Sequence, residues 1–344
     1  MNLYRKLRLF AGRRLPGPLK IAALAAMHAG GRRVIGVFLD PVLGCNLRCR
    51  MCYFSDPDKR KEMHGIISPD RLRQVEDALY SRALKVQIGC GAEPTLYKGL
   101  RDIVEGARRH GVPEISLVTN GQLIGSGHTD LMELADAGLG ELILSLHGTR
   151  RETYEHLMQG ARWDLFTATV AKIAEVRRSH PDFRLRVNFT VNSLNVDDLA
   201  GNNFWDLWKD GATPDAVQLR PVQKIGNSDW TDFDLTPLKE KFDSTIGAVA
   251  AECRRRGIVC IAPDRAQLDT VDDSQDAATS ILEDIAYCYV SPDACYKPDF
   301  NPATDTYAAY HRRHHTTRRL LAAVFTGKGA RRKNTSKKLN YNVK

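Results

Sequence analysis

Hydrophobic positions follow two rhythms along the chain. Short runs rich in Val, Ile and Leu fall at 34–40, 85–88, 114–119, 141–146, 185–191 and 216–221, the length and texture of strands buried in a sheet. Longer stretches between them carry helical spacing. Ser68-Pro69 opens one, a capping serine followed by proline at the first helical position, running to about 82. Others span 99–110, 129–137 and 196–210, each ending at a glycine (Gly111, Gly138, Gly211), and 163–179 stops before Pro181. Six strand–helix repeats between 34 and about 256 predict a parallel sheet with right-handed crossovers. A closed eight-fold barrel needs roughly 250 residues. The expected fold is therefore α/β, a partial (βα)6 TIM-like barrel with a C-terminal extension.

The texture changes after Pro221. A helical stretch at 236–256 precedes a short run at 257–261, an acidic helical stretch at 272–285, the segment 288–298 and a last helix at 303–325. This predicts a basic N-terminal segment (1–33), a barrel core (34–225), an extension (226–325) and a basic tail (326–344). At 344 residues, 43% hydrophobic and 26% charged, the composition is that of a globular protein. No apolar run approaches the 18 residues of a membrane span. The stretch Ile21–Met27 is too short, and too closely followed by His28, for a signal peptide, so a reducing cytoplasm is expected. The net charge of +9 is unevenly placed. Residues 1–39 hold eight Lys/Arg and residues 311–344 eleven, neither with an acid, leaving 31 basic against 41 acidic residues between them. An acidic body thus carries two basic ends.

Eight cysteines are too few for a disulfide scaffold, but three crowd the segment Gly44-Cys45-Asn46-Leu47-Arg48-Cys49-Arg50-Met51-Cys52. This segment follows the first predicted strand, at the end where barrel active sites form. Three thiolates cannot close a tetrahedral site alone. Either His64 completes a structural zinc site, or the three hold a [4Fe–4S] cluster with one iron left open.

The arrangement Cys45-x3-Cys49-x2-Cys52 after a first strand resembles the signature of the radical S-adenosylmethionine (SAM) superfamily, whose usual fold is the partial barrel. An aromatic residue often precedes the third cysteine there; here Met51 does, and Tyr53 follows. The second strand ends in Gly89-Cys90-Gly91-Ala92-Glu93-Pro94, similar to the Gly-Gly-Glu-Pro motif that binds the amino group of SAM, with Ala92 for the second glycine. The resemblance therefore implies Gly89, Gly91, Ala92, Glu93 and Pro94 as SAM contacts, Glu93 as acceptor from the ammonium. Cys90 beside them reads as a packing residue. Thr119-Asn120-Gly121 resembles a common family turn, adding Asn120. Leu144-Ser145-Leu146-His147-Gly148 resembles the family's Ser-Leu-Asp-Gly strand end, which places Ser145 near the ribose or carboxylate of SAM. His147 replaces the frequent Asp, as a substrate contact or a surface imidazole. On the fifth strand the resemblance puts Asn192 or Asn195 near the sugar or methionine. Arg220, at the sixth strand's end, would pair with a carboxylate, whereas Arg186 reads as a solvated residue.

The resemblance spans about 34–226 and implies a [4Fe–4S] cluster and SAM as cofactors, with a reductant such as flavodoxin or ferredoxin. Reductive cleavage of SAM to a 5′-deoxyadenosyl radical and hydrogen abstraction from a peptide or a small or carbohydrate metabolite would follow. Cys253, Cys260, Cys288 and Cys295 would hold an auxiliary [4Fe–4S] cluster of a shortened SPASM or twitch type, a zinc ion, or nothing, as core thiols. Failing ligation, Cys288 or Cys295 would donate a hydrogen atom to a substrate radical. The basic ends, with His311, His314 and His315 and an amphipathic pattern at 3–10, suggest docking to nucleic acid or a membrane surface, though a solvated tail is favoured. Two alternative functions remain at this stage: modification of RNA or a lipid-linked substrate, and a non-enzymatic zinc-stabilised binding protein.

Overall fold

In the computed structural model, residues 17–208, 210–222, 234–265, 268 and 284–326 are described. The predicted stretches at 3–10 and 272–283 and the tail beyond 326 lie outside them. Eight parallel strands form one sheet: β1 (Ile35–Leu39), β2 (Ala83–Ile88), β3 (Glu114–Thr119), β4 (Glu141–Ser145), β5 (Arg184–Val191), β6 (Ala216–Pro221), β7 (Val259–Ile261) and β8 (Tyr287–Val290). Their order is β7-β6-β5-β4-β3-β2-β1-β8. All six expected strands are present. The extension adds the other two, β7 beside β6 and β8 beside β1, so it extends both edges of the barrel sheet.

Side chains alternate across a strand, and residues paired in register share a face. The register sets Lys85 against Glu114, Gln87 against Ser116, Ser116 against Glu141, and Ser145 against Asn188 and so Gln218. One face of the sheet is therefore polar. The other carries Val37, Leu39, Val86, Ile88, Leu117, Leu142, Leu144, Val187, Phe189 and Leu219, all buried. This apolar face shares one core with Leu72, Val75 and Leu79 of helix Pro69–Leu79, Ile103 and Val104 of Leu100–Arg109, and Phe166 and Ile173 of Trp163–Ser179. Burial is thus one-sided in its chemistry, unlike strands that are apolar on both faces.

The start of the polar face is filled by ion pairs. Arg186 gives Glu141 two bonds through Nη2, at 2.9 and 3.1 Å, and Arg184 pairs with Glu114. Arg186 is buried, not solvated as its sequence context suggested. Its charge is tolerated because Glu141 neutralises it across the ladder.

Several helices are shorter than their patterns. The stretch 196–210 forms only two single turns, Val196–Leu199 and Trp205–Leu207. Gly201 adopts a left-handed φ of +63° between them. Asp198, fully buried, anchors the first turn by accepting from Thr149 N (2.7 Å), Arg150 Nε (2.8 Å) and Thr153 Oγ1 (3.2 Å). The stretch 236–256 splits into Thr236–Glu240 and Ile246–Arg256, and 303–325 into Tyr307–Arg313 and Thr316–Thr326. Within the basic N-terminal segment a helix, Gly17–Ala29, packs on Thr316–Thr326. Among the described residues no helix is long and apolar enough to cross a membrane.

Removing one partner of a buried ion pair leaves an uncompensated charge and costs about 3–5 kcal/mol, whereas replacing both can be neutral. Glu141→Leu should therefore destabilise the chain by about that amount in urea denaturation, and Glu141→Leu/Arg186→Met should recover most of it. Equal losses in the two variants would show that the pair does not act as a unit.

Candidate active site

The carboxyl ends of the strands bring the sequence motifs together. Asp40, immediately after β1, is buried and accepts from Cys90 N (2.7 Å), Gly91 N (3.1 Å) and Tyr289 Oη (2.9 Å). Burial raises its pKa while these donors oppose the rise. Gly89 N donates to Leu39 O at 2.7 Å, and Tyr53 Oη donates to Gly91 O. The glycines serve this tight folding of the chain on itself. Gly89 has φ +85° and a Cβ there would lie 2.6 Å from Val118 O; at Gly91 it would strike the Tyr53 hydroxyl. Asp40, Tyr53 and Tyr289 were not among the expected site residues. An acid ending a β-rich run was the one available signal for Asp40, and Tyr289 lies 249 residues from its partner.

Glu93 occupies the centre of this end. Its carboxylate is 2% exposed and accepts from Thr95 N (3.2 Å), Thr95 Oγ1 (2.5 Å), Thr119 Oγ1 (2.7 Å) and Asn120 N (2.9 Å). A carboxylate has about four lone-pair sites. Glu93 is thus a brace between the ends of β2 and β3, a role the motif did not announce. Burial pushes its pKa up and the donors hold it down. Pro94 begins the short turn after it, and Ala92 adds a further N–H to Asp40. Asn120 Nδ2 donates to Asn46 Oδ1 at 2.9 Å, tying β3 to the cysteine loop.

That loop runs from Cys45 to Cys52 and is held by its backbone. Glu93 N donates to Gly44 O, Arg48 N to Gln159 O and Arg50 N to Leu157 O, all at 2.8–2.9 Å. The three thiols are free and act on one another: charge on Cys45 and Cys52 raises the pKa of Cys49 after burial itself. Burial pushes Cys45 up to about 12, with Glu93 adding to the rise, and Cys52 up to about 11. Such thiols are protonated at neutral pH and become ligands by exchanging the proton for metal. Three convergent thiols fit an iron–sulfur cluster, in which each thiolate binds its own iron. Among the described residues no three His, Cys, Asp or Glu side chains surround one point as a single ion requires. His64 is exposed and its Nδ1 meets Lys61 O at 3.2 Å, so it does not complete a zinc site.

The remaining predicted residues continue the polar face. Ser145 ends β4 opposite Asn188. Asn188 Oδ1 and Asn192 Nδ2 are buried without a partner among the described residues, so this wall offers both an acceptor and a donor to a ligand. Asn192 Oδ1 accepts from Leu194 N (2.9 Å). Asn195, by contrast, is committed to the fold: Nδ2 donates to His147 O and Thr190 O, both 2.9 Å. His147 accepts from Thr190 N through Nδ1 at 3.1 Å, which assigns the proton to Nε2. Burial and the Arg220 guanidinium push its pKa down to about 4, so it is a neutral donor at pH 7. Arg220 is exposed at the end of β6.

The four extension cysteines form two pairs. Cys253 and Cys260 share a hydrogen bond between helix Ile246–Arg256 and β7. Cys288 lies on β8 near Cys295, beside the Val290–Cys295 bridge. Strands β7 and β8 are opposite ends of the sheet order, so the four cysteines fall into two pairs on different strands and not into the single group that the sequence suggested. Cys288 is paired with Val37, on the apolar face, away from the polar wall.

The sequence pattern of the Radical SAM superfamily matches residues 40–192. Similar curated proteins include the probable GTP 3′,8-cyclase of a Methanococcus maripaludis strain, 30% identical over 171 residues (49% of this chain, 54% of the relative). That of Methanocaldococcus jannaschii is 25% identical over 235 residues (67% and 74%). The chain thus spans about half the length of the first relative. Among solved structures, SuiB of Streptococcus suis bound to S-adenosylmethionine has a TM-score of 0.55 at 14% identity, covering 78% of this chain and 61% of that one. The same protein bound to precursor peptide SuiA gives 0.55 at 16%, covering 80% and 61%. This likeness establishes a shared fold.

Glu93→Gln keeps the side chain's shape but exchanges an acceptor oxygen for an amide donor facing other donors. Leaving a buried group unsatisfied costs about 1–3 kcal/mol, so the cofactor-free variant should lose about that much stability in denaturant. Unchanged stability with weakened SAM binding would instead make Glu93 a ligand contact alone.

Proposed function

From the match of residues 40–192 to the Radical SAM superfamily, we propose that the chain is a radical SAM enzyme that holds a [4Fe–4S] cluster on Cys45, Cys49 and Cys52 and performs hydrogen abstraction on a polar substrate. Three free thiols on one loop beside the Glu93 turn, close enough to raise one another's pKa, carry this reading. When bound, the cluster supplies the electron that splits the sulfonium of SAM and starts abstraction of a hydrogen atom from substrate.

This chain's residues orient and shield. Asp40 and Tyr53 hold the Gly89–Pro94 turn against the cysteine loop, and Glu93 fixes Asn120 beside it. Asn188 on β5 and Asn192 just after it offer SAM an unused acceptor and donor, with Ser145 on the neighbouring strand. His147 Nε2–H and Arg220 stand at the ends of β4 and β6, where they would meet an electronegative or anionic group of the substrate. A peptide or a small or carbohydrate metabolite fits these donors. A flavodoxin or ferredoxin would deliver the electron, and eight free thiols fit a reducing cytoplasm.

A second reading, a purine nucleotide substrate, is favoured by the relatives named GTP 3′,8-cyclase. Docking of RNA or a lipid-linked substrate would rest on the basic ends, of which residues 1–16 and 327–344 lie outside the described residues.

Anaerobically reconstituted protein with dithionite and SAM should form 5′-deoxyadenosine, and Cys45→Ala, Cys49→Ala or Cys52→Ala should each lower its formation at least about 100-fold, the scale of losing a group that acts as one unit with others. Wild-type protein without product would refute the proposal. Adding GTP separates the substrates: a rate unchanged by GTP favours the peptide or metabolite reading, and a GTP-dependent rise that Arg220→Gln abolishes favours the nucleotide.

A further inference from the structure

At the amino end of the barrel, opposite the cysteine loop, helices Gly17–Ala29 and Thr316–Thr326 and the turn before β2 line a cavity of about 480 Å3. Small-ligand pockets run from roughly 300 to 1,000 Å3. Three arginines, Arg82, Arg312 and Arg318, line it together with His28, His311 and His315, and no carboxylate does. Many of the described arginines elsewhere have acidic partners, as Arg150 has Asp198 and Arg313 has Asp305. The guanidinium groups of Arg312 and Arg318 have no hydrogen-bond or ion-pair partner among the described residues.

Among the described residues two buried atoms of the wall are also unsatisfied, His28 Nε2 and Arg82 Nε. Their side chains are otherwise fixed: His28 Nδ1 lies 2.9 Å from Thr317 Oγ1, and Arg82 Nη2 donates to His28 O at 3.2 Å. Buried polar atoms nearly always have partners, so each orphan leaves a polar group open to a water or a ligand. The wall further includes Thr316, Thr317 and Arg318, the first turn of an 11-residue helix, where backbone N–H groups are free to meet an anion.

We propose that this cavity is a phosphate-binding site, taking a phosphate group free in solution or carried on a lipid headgroup. Guanidinium groups bind phosphate oxygens in pairs, and a helix N-terminus adds neutral donors suited to the same charge. The seven residues from Arg82 to Gly89 span about 23 Å at ~3.3 Å each, so the bound phosphate lies far from the cysteines and serves as an anchor. Arg312→Gln/Arg318→Gln tests it in the full chain, because both side chains are exposed and their loss should leave the fold intact.

Calorimetric titration with inorganic phosphate at fixed ionic strength should show one saturable site per chain in the wild type, weakened at least tenfold, about 1.4 kcal/mol, in the double variant. A matched thermal melt checks that the variant is folded. Co-sedimentation with phosphatidate vesicles, against phosphatidylcholine vesicles, separates the two sources. Phosphatidate binding that the double variant loses identifies a headgroup, and phosphate binding without vesicle binding identifies a soluble ligand. The proposal is overturned if the wild type shows no saturable phosphate binding. It is also overturned if the folded double variant binds phosphate or phosphatidate as well as the wild type does, which would place the contact outside this cavity.

Discussion

The two faces of the sheet differ in chemistry along nearly every strand, and this is the constraint on which the rest depends. Val37, Val86, Leu117, Leu142, Val187 and Leu219 face a common apolar core with the helices. Their immediate neighbours in sequence face the other way and are largely polar. A register slip of one residue would exchange the two sets, burying Glu141 and Arg186 under helices and baring the aliphatic residues. The hydrophobic effect therefore fixes not only the fold but also which side chains line the inner wall. Ion pairs fill that wall at its amino end, leaving Ser145, Asn188 and Asn192 toward the end where the cysteine loop lies.

Buried carboxylates then bind the strand ends into one structure. Asp40 spans from β1 to the turn after β2 and to Tyr289 of β8, and Glu93 spans from that turn to β3. Each is costly to bury, and each is offset by several donors. The result is a preorganised frame around loops that lack regular structure of their own.

Much of this was legible in the sequence because it is local. Strand runs, capping signals and the spacing of Cys45, Cys49 and Cys52 need only neighbouring residues, and the six core strands lie close to where the pattern put them. What escaped is what depends on distant partners. Arg186 looked solvated because its carboxylate is 45 residues away. The helical texture of 196–210 was overridden by Asp198, held from the 149–153 turn. Glu93 was identified but not its role as a brace, since Thr119 and Asn120 belong to another strand. The equal spacing of Cys253-x6-Cys260 and Cys288-x6-Cys295 suggested one site, yet the topology sends β7 and β8 to opposite edges.

On the proposed function, one set of three cysteines holds the chain's iron–sulfur chemistry. Mössbauer spectroscopy of anaerobically reconstituted, 57Fe-labelled protein, recorded with and without SAM, tests it most directly. About four irons per chain in one cluster are expected, with a single iron changing its spectrum on addition of SAM and the cluster signal absent from the Cys45→Ala/Cys49→Ala/Cys52→Ala variant. A cluster signal that persists in that variant, or a spectrum indifferent to SAM, would contradict it.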